Sequence, residues 1–318
     1  MGKLIVVCGA TGQVGGSIAR RMLKEGWKVR AITRNQQGAA AKALAAEGAE
    51  LESADFDDVA SLTKAFKGAN AVFGLTQFWD YILQLGQKGA GEKEYQQMLN
   101  IATAAQHTEG LEHFILHSLP AGEKVTDGKA FCAHTDYKDH AVDEMKKSMP
   151  ELMKKTTFLW MGFFSSNLWT MLRPVEIPHT YGGHVWLQAC PADTVMWVSD
   201  VENNVGLTVK YILEKPQIST PAKVICTPVE KVTMADVLKT WTEVSGKRAE
   251  YISISEKNAA GIFGIHGQEI ADQFKWNSME TDWAKGYHAD FVPVEELGIP
   301  KNEILSLKQS FEANKEKL

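Results

Sequence analysis

The sequence predicts an α/β fold in which a doubly wound parallel sheet is followed by a smaller C-terminal α+β domain. Short runs of β-branched residues alternate along the first half with segments whose apolar residues recur at helical spacing. Short turns, several of which contain glycine, separate these segments. Alternating strands and helices with short connections form a parallel sheet that is covered by helices on both faces. The 318 residues, of which 44% are hydrophobic and 23% charged, suffice for this sheet and a second unit.

The first half of the chain supplies the elements of the sheet in order. Strands are predicted in the segments KLIVVC, WKVRAITR, AELESADF, ANAVFGLT and EHFILHSL. The helices between them are predicted in SIARRMLKEG, AAKALAAEG, SLTKAFKG and EKEYQQMLNIATAAQ. A further helix carries Lys138, and KTTFLWMGFF follows it as a sixth strand.

The alternation weakens after Asn167. PVEIPHTYGGHVWLQACP is rich in proline, glycine and aromatic residues, which predicts loops and a small antiparallel piece beside a cleft. VTMADVLKTWTEVSG predicts a later amphipathic helix. We therefore predict a sheet domain over residues 1–165 and a smaller substrate or partner domain over residues 166–318. Whether segments around residues 195–230 return to the first domain stays open.

Charge and hydropathy exclude several classes of partner. The formal charge of −5 and the mixture of signs give no reason to expect nucleic acid or an anionic membrane. No apolar stretch approaches the length of a transmembrane helix, and MGKLIVVCGATG does not resemble a signal peptide. These features predict a cytoplasmic protein.

Cysteine and histidine spacing predicts no metal site. The four cysteines are widely scattered, with no C-x-x-C pair, which favours reduced thiols in a reducing compartment: Cys8, Cys132, Cys190 and Cys226. His113 and His117 share one face of the predicted fifth strand, but no further ligand accompanies them. We predict that both histidines are structural.

The segment GATGQVG lies between the first strand and the first helix. Glycines at positions 9, 12 and 15 allow a tight turn and a close approach of the backbone to a pyrophosphate, whose charge the helix N-terminus stabilises. This context predicts a dinucleotide site that is formed by Gly9, Thr11, Gly12, Gln13, Val14 and Gly15.

The end of the second strand predicts which dinucleotide binds. The segment AITRN places Arg34 where a carboxylate would select the unphosphorylated ribose, and the guanidinium fork suits a 2′-phosphate. NADP(H) is therefore favoured over NAD; the alternative is that Arg34 is a solvated charge. Asp55 and Phe56 are predicted beside the adenine, and Thr76 and Gln77 beside the nicotinamide half.

Several separate segments together resemble one family. GATGQVG, AITRN, AVFGLTQFW, GEKEYQQMLNIATAAQ, EHFILHSL, HTDYK, FLWMGFFSSNL and VSDVENNVG are similar to the NmrA-like family, an atypical branch of the short-chain dehydrogenase/reductase superfamily. The resemblance extends from residue 3 to about residue 255. It implies a Rossmann-type domain, a preference for NADP(H) and a small C-terminal domain that closes over the cofactor. It also implies that Gly162, Phe163 and Asn167 lie near the nicotinamide.

The same resemblance leaves the activity open. The family includes a transcriptional co-regulator that binds dinucleotide as a redox signal, and it borders on reductases of phenolic or quinoid compounds that use a lysine. Ordinary members of the superfamily place a tyrosine four residues before the lysine, on one helix face. Here His134 stands four residues before Lys138, and Tyr137 lies about 100° away on the helix.

Four residues are therefore candidates for catalysis. Lys138 is predicted to contact the nicotinamide ribose and to assist protonation, with a salt bridge to Asp136, Asp139 or another neighbour on the charged helix as the alternative. His134, whose unperturbed pKa is about 6.5, is a candidate general acid. Ser118, at the end of the fifth strand, is placed to bind a substrate oxygen or to cap a loop, and His117 is expected to point away. Tyr137 completes the candidates.

Aromatic residues after the fourth and sixth strands predict a flat, apolar cleft. Trp79, Tyr81, Trp186 and Trp197 accompany the FLWMGFFSSNLW segment, although core packing is the more common fate of a tryptophan. The favoured hypothesis is an NADPH-dependent reductase of a carbonyl or enone on a quinoid or polyketide-like molecule. The alternatives are an NADP-sensing regulator that acts through a protein partner, and an isomerase or cyclase on the same scaffold. The sequence leaves the oligomeric state undetermined.

Overall fold

The computed structural model describes residues 2–318. Its strands are β1 (Leu4–Val7), β2 (Lys28–Ile32), β3 (Glu50–Glu52), β4 (Ala71–Gly74), β5 (His113–His117), β6 (Thr156–Trp160), β7 (Phe163–Phe164), β8 (Val175–Glu176), β9 (Gly183–Gln188), β10 (Val195–Ser199), β11 (Lys223–Cys226), β12 (Glu230–Thr233), β13 (Arg248–Ser253) and β14 (Phe291–Val292). Its α-helices are α1 (Gln13–Lys24), α2 (Ala39–Ala46), α3 (Val59–Phe66), α4 (Ile82–Gln106), α5 (Gly122–Val125), α6 (Ala133–Ser148), α7 (Pro150–Met153), α8 (Asn204–Glu214), α9 (Pro216–Ser219), α10 (Met234–Ser245), α11 (Glu256–Met279) and α12 (Leu307–Ala313). Among residues 2–318, none of these helices combines the length and hydropathy that a membrane crossing requires.

Eight strands form one parallel sheet, in the order β14-β11-β6-β5-β4-β1-β2-β3. The first six strands in sequence are the six that the alternating pattern predicts, which confirms the doubly wound fold. The strand order reverses between β1 and β4. Open α/β sheets bind their ligands at such a reversal, beyond the carboxyl ends of the strands. The fold therefore directs attention to the turn after β1.

The core lies on both faces of this sheet, because neighbouring residues in a strand point in opposite directions. In β1, Ile5 and Val7 belong to the cluster that includes α1 and α8, whereas Val6 belongs to the cluster that includes α4 and α6. In β5, Phe114 and Ile115 divide in the same way. Each such fully buried side chain stabilises the fold by about 1.5–3 kcal/mol.

The chain after residue 165 returns to the main sheet twice. Residues Lys223–Cys226 pair in parallel with β6, and Phe291–Val292 extend the edge beyond them. Within the 195–230 region, β11 therefore joins the main sheet, whereas β10 belongs to the small sheet β12-β10-β7. A third sheet, β13-β9-β8, contains the predicted antiparallel piece in its pairing of β8 with β9. The domain boundary after residue 165 stays a prediction.

Helix α4 is longer than predicted and packs closely against α6. The predicted helix starts near residue 92, whereas α4 begins at Ile82 and passes through Gly86, whose φ of 69° interrupts the helical backbone. A Cβ at Gly91 would lie 2.1 Å from the ring of Tyr137, so only glycine allows the two helices to approach this closely. This contact brings the middle of α4 beside the first turns of α6.

Candidate active site

The turn after β1 has the geometry of an anion site. Gly9 adopts a φ of +64°, and a Cβ at Gly15 would lie 2.3 Å from the Gly9 carbonyl oxygen, so both positions require glycine. The backbone amides of Gln13 and Val14 donate to no backbone acceptor within residues 2–318. The first turn of α1 contains no acidic residue. Free amides at the N-terminus of a twelve-residue helix favour a bound phosphate.

A cavity of about 330 Å³, here named the Arg34 cavity, lies on one side of this turn. The Arg34 side chain is 74% exposed, and its guanidinium lies 2.9 Å from the Asp80 carboxylate. This ion pair leaves part of the guanidinium fork for another anion. The cavity brings together the predicted residues Gly9, Thr11, Gly12, Arg34, Asp55, Phe56 and Gln77.

A second cavity of about 420 Å³, here named the Lys138 cavity, lies on the other side. Gly12 and Gln77 line both cavities, so the two cavities adjoin at the glycine turn, and together they are here named the groove. The Lys138 cavity is lined by further residues that the sequence predicts for the site, namely Gln13, Val14, Thr76, His134, Lys138, Gly162, Phe163 and Asn167. Of the predicted cofactor residues, Gly15 alone lines neither cavity, because it packs against Gly9 beneath the turn.

Lys138 forms a buried ion pair that the sequence did not predict. Its Nζ lies 2.5 Å from Glu94 Oε1 and donates to Thr76 Oγ1 at 3.1 Å, and the Thr76 hydroxyl donates to the same carboxylate oxygen at 2.9 Å. Glu94 is fully buried, and its Oε2 has no partner within residues 2–318. The lysine therefore keeps one N–H for a further acceptor, whereas the second oxygen of the carboxylate is buried without a partner among residues 2–318.

The alternative prediction, a salt bridge of Lys138 to Asp136 or Asp139, is wrong. Asp136 accepts hydrogen bonds from the backbone amides of Gly122, Glu123 and Cys132, and Asp139 lies 2.7 Å from Lys124. Both carboxylates are on the turns of α6 that face α5. Neither faces the Lys138 cavity.

His134 is held by Glu269 from α11. Glu269 Oε1 lies 2.7 Å from His134 Nδ1, accepts the backbone N–H of His134 at 2.7 Å, and accepts the Cys132 thiol at 3.3 Å. Gln87 donates to the other oxygen at 2.6 Å. Burial acts to raise the pKa of Glu269, but the hydrogen bonds and charge of His134 outweigh it and hold the pKa below its usual value. An ionised Glu269 therefore anchors the N-terminus of α6 and one nitrogen of the imidazole.

The donor atoms of Cys132, His134 and Glu269 lie within 4.8 Å of one another, which is compatible with a metal ion. Their contacts are nevertheless accounted for by hydrogen bonds to a single oxygen, Glu269 Oε1. Burial first, and then the charge of Glu269, raise the pKa of the Cys132 thiol well above its usual value, so a thiolate ligand is disfavoured. The prediction that the protein has no metal site stays a prediction.

The end of β5 differs from the predicted orientation. His117 lines the Lys138 cavity, whereas the buried Ser118 does not. The strand ends at His117, so the alternation of a regular strand does not extend to Ser118. Burial first, and then the charges of Lys138 and His134, lower the pKa of His117 well below its usual value. His117 is therefore a neutral imidazole in the cavity, and its buried Nδ1 has no partner within residues 2–318.

Tyr137 also lies outside the Lys138 cavity. Its ring packs against Gly91 of α4 and lies near Phe131 and His140. The 100° rotation between neighbouring helix positions accounts for this, because Lys138 faces the cavity and Tyr137 faces α4. The structure thus brings Lys138 and His134 together but neither Tyr137 nor Ser118.

Aromatic side chains also line the Lys138 cavity, and together they are here named the aromatic wall. Trp79 lies 5.1 Å from the His134 ring and stacks on His266 at 5.9 Å, with an interplanar angle of 13°. Trp276 and Trp283 contribute to the wall from the C-terminal segment, which the sequence did not indicate. Of the other predicted wall residues, Tyr81 lines the Arg34 cavity, Trp186 a third cavity and Trp197 a cavity beside β11.

Sequence reasoning missed Glu94, Glu269 and His117. Glu94 carried a detectable signal, since an acidic residue interrupts the apolar face of α4 between Ala90 and Met98. Glu269 lies 135 residues from His134, in a part of the chain that the family resemblance did not cover. No local sequence pattern connects Glu269 with His134.

Comparisons with known proteins agree on one family. An NmrA-like family domain-containing protein of Dictyostelium discoideum is 25% identical over 256 residues, which cover 79% of this chain and 80% of that protein. An NmrA-like family domain-containing oxidoreductase of Aspergillus hancockii is 38% identical over 128 residues, or 40% of this chain and 37% of that protein.

Solved structures show the same fold at low identity. The negative transcriptional regulator NmrA in complex with NADP superimposes with a TM-score of 0.76 at 18% identity, over 98% of this chain and 94% of that one. The triphenylmethane reductase of Citrobacter sp. complexed with NADP(H) gives a TM-score of 0.71 at 18% identity, over 98% and 99% of the two chains. The family model matches residues 1–318, and the chain belongs to the NmrA-like family.

Proposed function

We propose that the protein is an NADPH-dependent reductase of a carbonyl or enone group on an aromatic small molecule. One observation carries this proposal. The Arg34 and Lys138 cavities share Gly12, next to the free amides of Gln13 and Val14, and the Lys138 cavity combines Lys138 and His134 with aromatic side chains. A dinucleotide and a flat substrate fit this arrangement.

The residues of the groove fit NADP(H). The amides of Gln13 and Val14 are free for the pyrophosphate, and Arg34 faces the cavity where the 2′-phosphate would lie. Thr76, Gln77 and Asn167 line the Lys138 cavity, which would take the nicotinamide half. When bound, the reduced cofactor supplies a hydride at this end of the groove. Related structures, which include an NADPH-dependent quinone oxidoreductase of Escherichia coli complexed with NADPH, support the same cofactor.

Lys138 and His134 would supply the proton that accompanies the hydride. The free N–H of Lys138 is available to a substrate oxygen, because its other contacts are to Glu94 and Thr76. Glu269 binds the Nδ1 side of His134, which leaves Nε2 for the cavity. A carboxylate bound to one imidazole nitrogen in this way fixes the orientation of the ring. His117, neutral and beside them, can hydrogen-bond to a carbonyl oxygen without adding charge.

The aromatic wall favours a quinoid or polyketide-like ring as substrate. Phe78, Trp79, Phe163 and Trp276 line the same cavity as Lys138. Flat apolar rings gain both buried area and ring stacking in such a site. The relatives described as oxidoreductases support redox chemistry, and the structural relative described as a triphenylmethane reductase of Citrobacter sp. is a reductase of an aromatic compound.

An NADP(H)-sensing regulator of the NmrA type is the second candidate. It is favoured by the buried pairing of Lys138 with Glu94 and by the absence of a tyrosine from the residues that line the Lys138 cavity. In this second candidate, the site binds dinucleotide but lacks an efficient proton donor.

The two candidates differ in turnover. Purified protein is mixed with NADPH and a panel of naphthoquinone, phenanthrenequinone and an anthrone-type ketone, and the absorbance of NADPH is followed. A reductase consumes NADPH with at least one of them, and Lys138→Met lowers the rate by about 10²-fold or more. Binding of NADPH without consumption across the panel would favour the regulator.

A further inference from the structure

A third cavity adjoins the Lys138 cavity. This cavity of about 390 Å³, here named the Trp186 chamber, lies between β9, the loop at residues 170–175 and α11. Thr170, Met171, Leu172 and Ile270 line both it and the Lys138 cavity. The two spaces therefore adjoin along these four residues.

The lining of the chamber is apolar. Trp186 Nε1 donates to the Leu172 carbonyl at 2.6 Å, so its one polar atom is satisfied and its ring presents carbon to the chamber. Arg173 contributes the single full charge among the lining residues, and no carboxylate lines the chamber. Met171 is 50% exposed and Phe263 44% exposed at its edge. Large apolar side chains that stay exposed around a concave surface commonly mark a ligand site.

The volume of the Lys138 cavity limits what else it can hold. Under the proposed function, its 420 Å³ takes the nicotinamide end of the cofactor together with the reacting ring. Pockets for drug-sized ligands span about 300–1,000 Å³. A substrate larger than one small ring system therefore requires further space, and the chamber is the apolar space that adjoins the reacting end.

We propose that the Trp186 chamber binds an apolar extension of the substrate, so that the substrate class is an aromatic carbonyl compound with a prenyl or alkyl chain or further fused rings. This inference rests on the proposed function, because it assumes that the reacting carbonyl lies at Lys138. The extension gains affinity through burial of its methylene groups, each of which contributes about fourfold when fully buried.

The experiment compares two quinones with the same head group, the tail-less ubiquinone head group and decylubiquinone, with NADPH as reductant. Wild-type protein is expected to show a kcat/KM about tenfold or more higher for decylubiquinone, mainly through KM. Ala189→Trp places an indole in the chamber from a position that does not line the Lys138 cavity, and it is expected to bring the ratio of the two values towards one. Ala235→Trp, at an exposed position of α10 outside these cavities, is the matched control and keeps the wild-type ratio.

Equal kcat/KM for the two quinones in wild-type protein would overturn the inference while leaving the proposed function intact. An unchanged ratio in Ala189→Trp would also overturn it. If neither quinone consumes NADPH, the proposed function fails instead, and equilibrium binding of decylubiquinone to the same variants then tests the chamber alone. Should Ala189→Trp unfold at a lower temperature than the control, Leu187→Trp blocks the chamber from the neighbouring strand.

Discussion

Replacement of Arg34 is expected to remove the preference for NADP over NAD. The Arg34 guanidinium lines its cavity beside the second strand and is held by Asp80 at 2.9 Å. A 2′-phosphate would be a second anion on the same fork. Arg34→Ala removes that contact, whereas Asp80→Asn removes the competing negative charge and keeps the shape of the side chain.

The expected loss of binding free energy follows from the exposure of the Arg34–Asp80 ion pair. With the Arg34 side chain 74% exposed, its interaction with a charge at 4 Å lies nearer to about 1 kcal/mol, the value in water, than to the roughly 4 kcal/mol of a partly buried site. A hydrogen bond to a charged group adds about 1.5–3 kcal/mol. A net loss of about 2–3 kcal/mol corresponds to roughly 30- to 150-fold weaker NADP binding in Arg34→Ala. Asp80→Asn should strengthen it by about 1 kcal/mol, or roughly fivefold.

Calorimetric titration with NADP and with NAD measures both effects. Binding of NAD, which lacks the 2′-phosphate, should change by less than about twofold in Arg34→Ala. Arg20→Ala is the matched control, because Arg20 is also an exposed arginine in an ion pair, with Glu47 at 3.0 Å, and lines neither cavity. Equal weakening of NADP and NAD, or unchanged binding of both, would refute the assignment of Arg34 to the phosphate.

Three further predictions concern the buried ionisable groups. Lys138→Ala leaves the Glu94 carboxylate buried without its cation, so urea unfolding should show that the free energy of unfolding falls by about 3–5 kcal/mol. The double variant Lys138→Met/Glu94→Leu should recover most of this stability without recovering quinone reduction. An active double variant would contradict the role of Lys138. Glu269→Gln keeps the shape of the side chain but removes the charge that faces His134, so kcat should fall about tenfold or more, with KM little changed and the pH profile of kcat displaced. A pH profile like that of the wild-type protein would show that Glu269 only anchors α6. Burial lowers the pKa of His113 from 6.5 to about 4, so the unfolded chain takes up a proton first as the pH falls. The free energy of unfolding should therefore decrease by up to about 3 kcal/mol between these two pH values. Urea unfolding at each pH should show a smaller decrease in His113→Gln.

Local sequence patterns were sufficient to predict many of the residues that line the groove. The glycine turn, Arg34 and the helix of Lys138 each lie within a short segment whose composition determines its conformation. Their meeting at one groove follows from the parallel sheet, since the carboxyl ends of all its strands share one edge. The sequence therefore predicted which residues gather there.

The buried carboxylate partners of Lys138 and His134 could be identified only from the tertiary structure. Glu94 reaches Lys138 from a helix 44 residues earlier, and Glu269 reaches His134 from 135 residues later. Such contacts depend on how helices pack and not on any repeat along the chain. The orientation of His117 depended on where β5 ends, which is the least predictable property of a strand.

The return of β11 and β14 to the main sheet limits how the protein can be divided. A fragment that ends at residue 165 would contain the whole glycine turn and Lys138, yet it would expose the hydrogen-bonding edge of β6 along Thr157–Trp160. An uncovered, apolar strand edge is a template for pairing with another chain. Such a fragment should therefore aggregate instead of forming a separate nucleotide-binding unit, and the C-terminal half is needed for solubility as well as for the site.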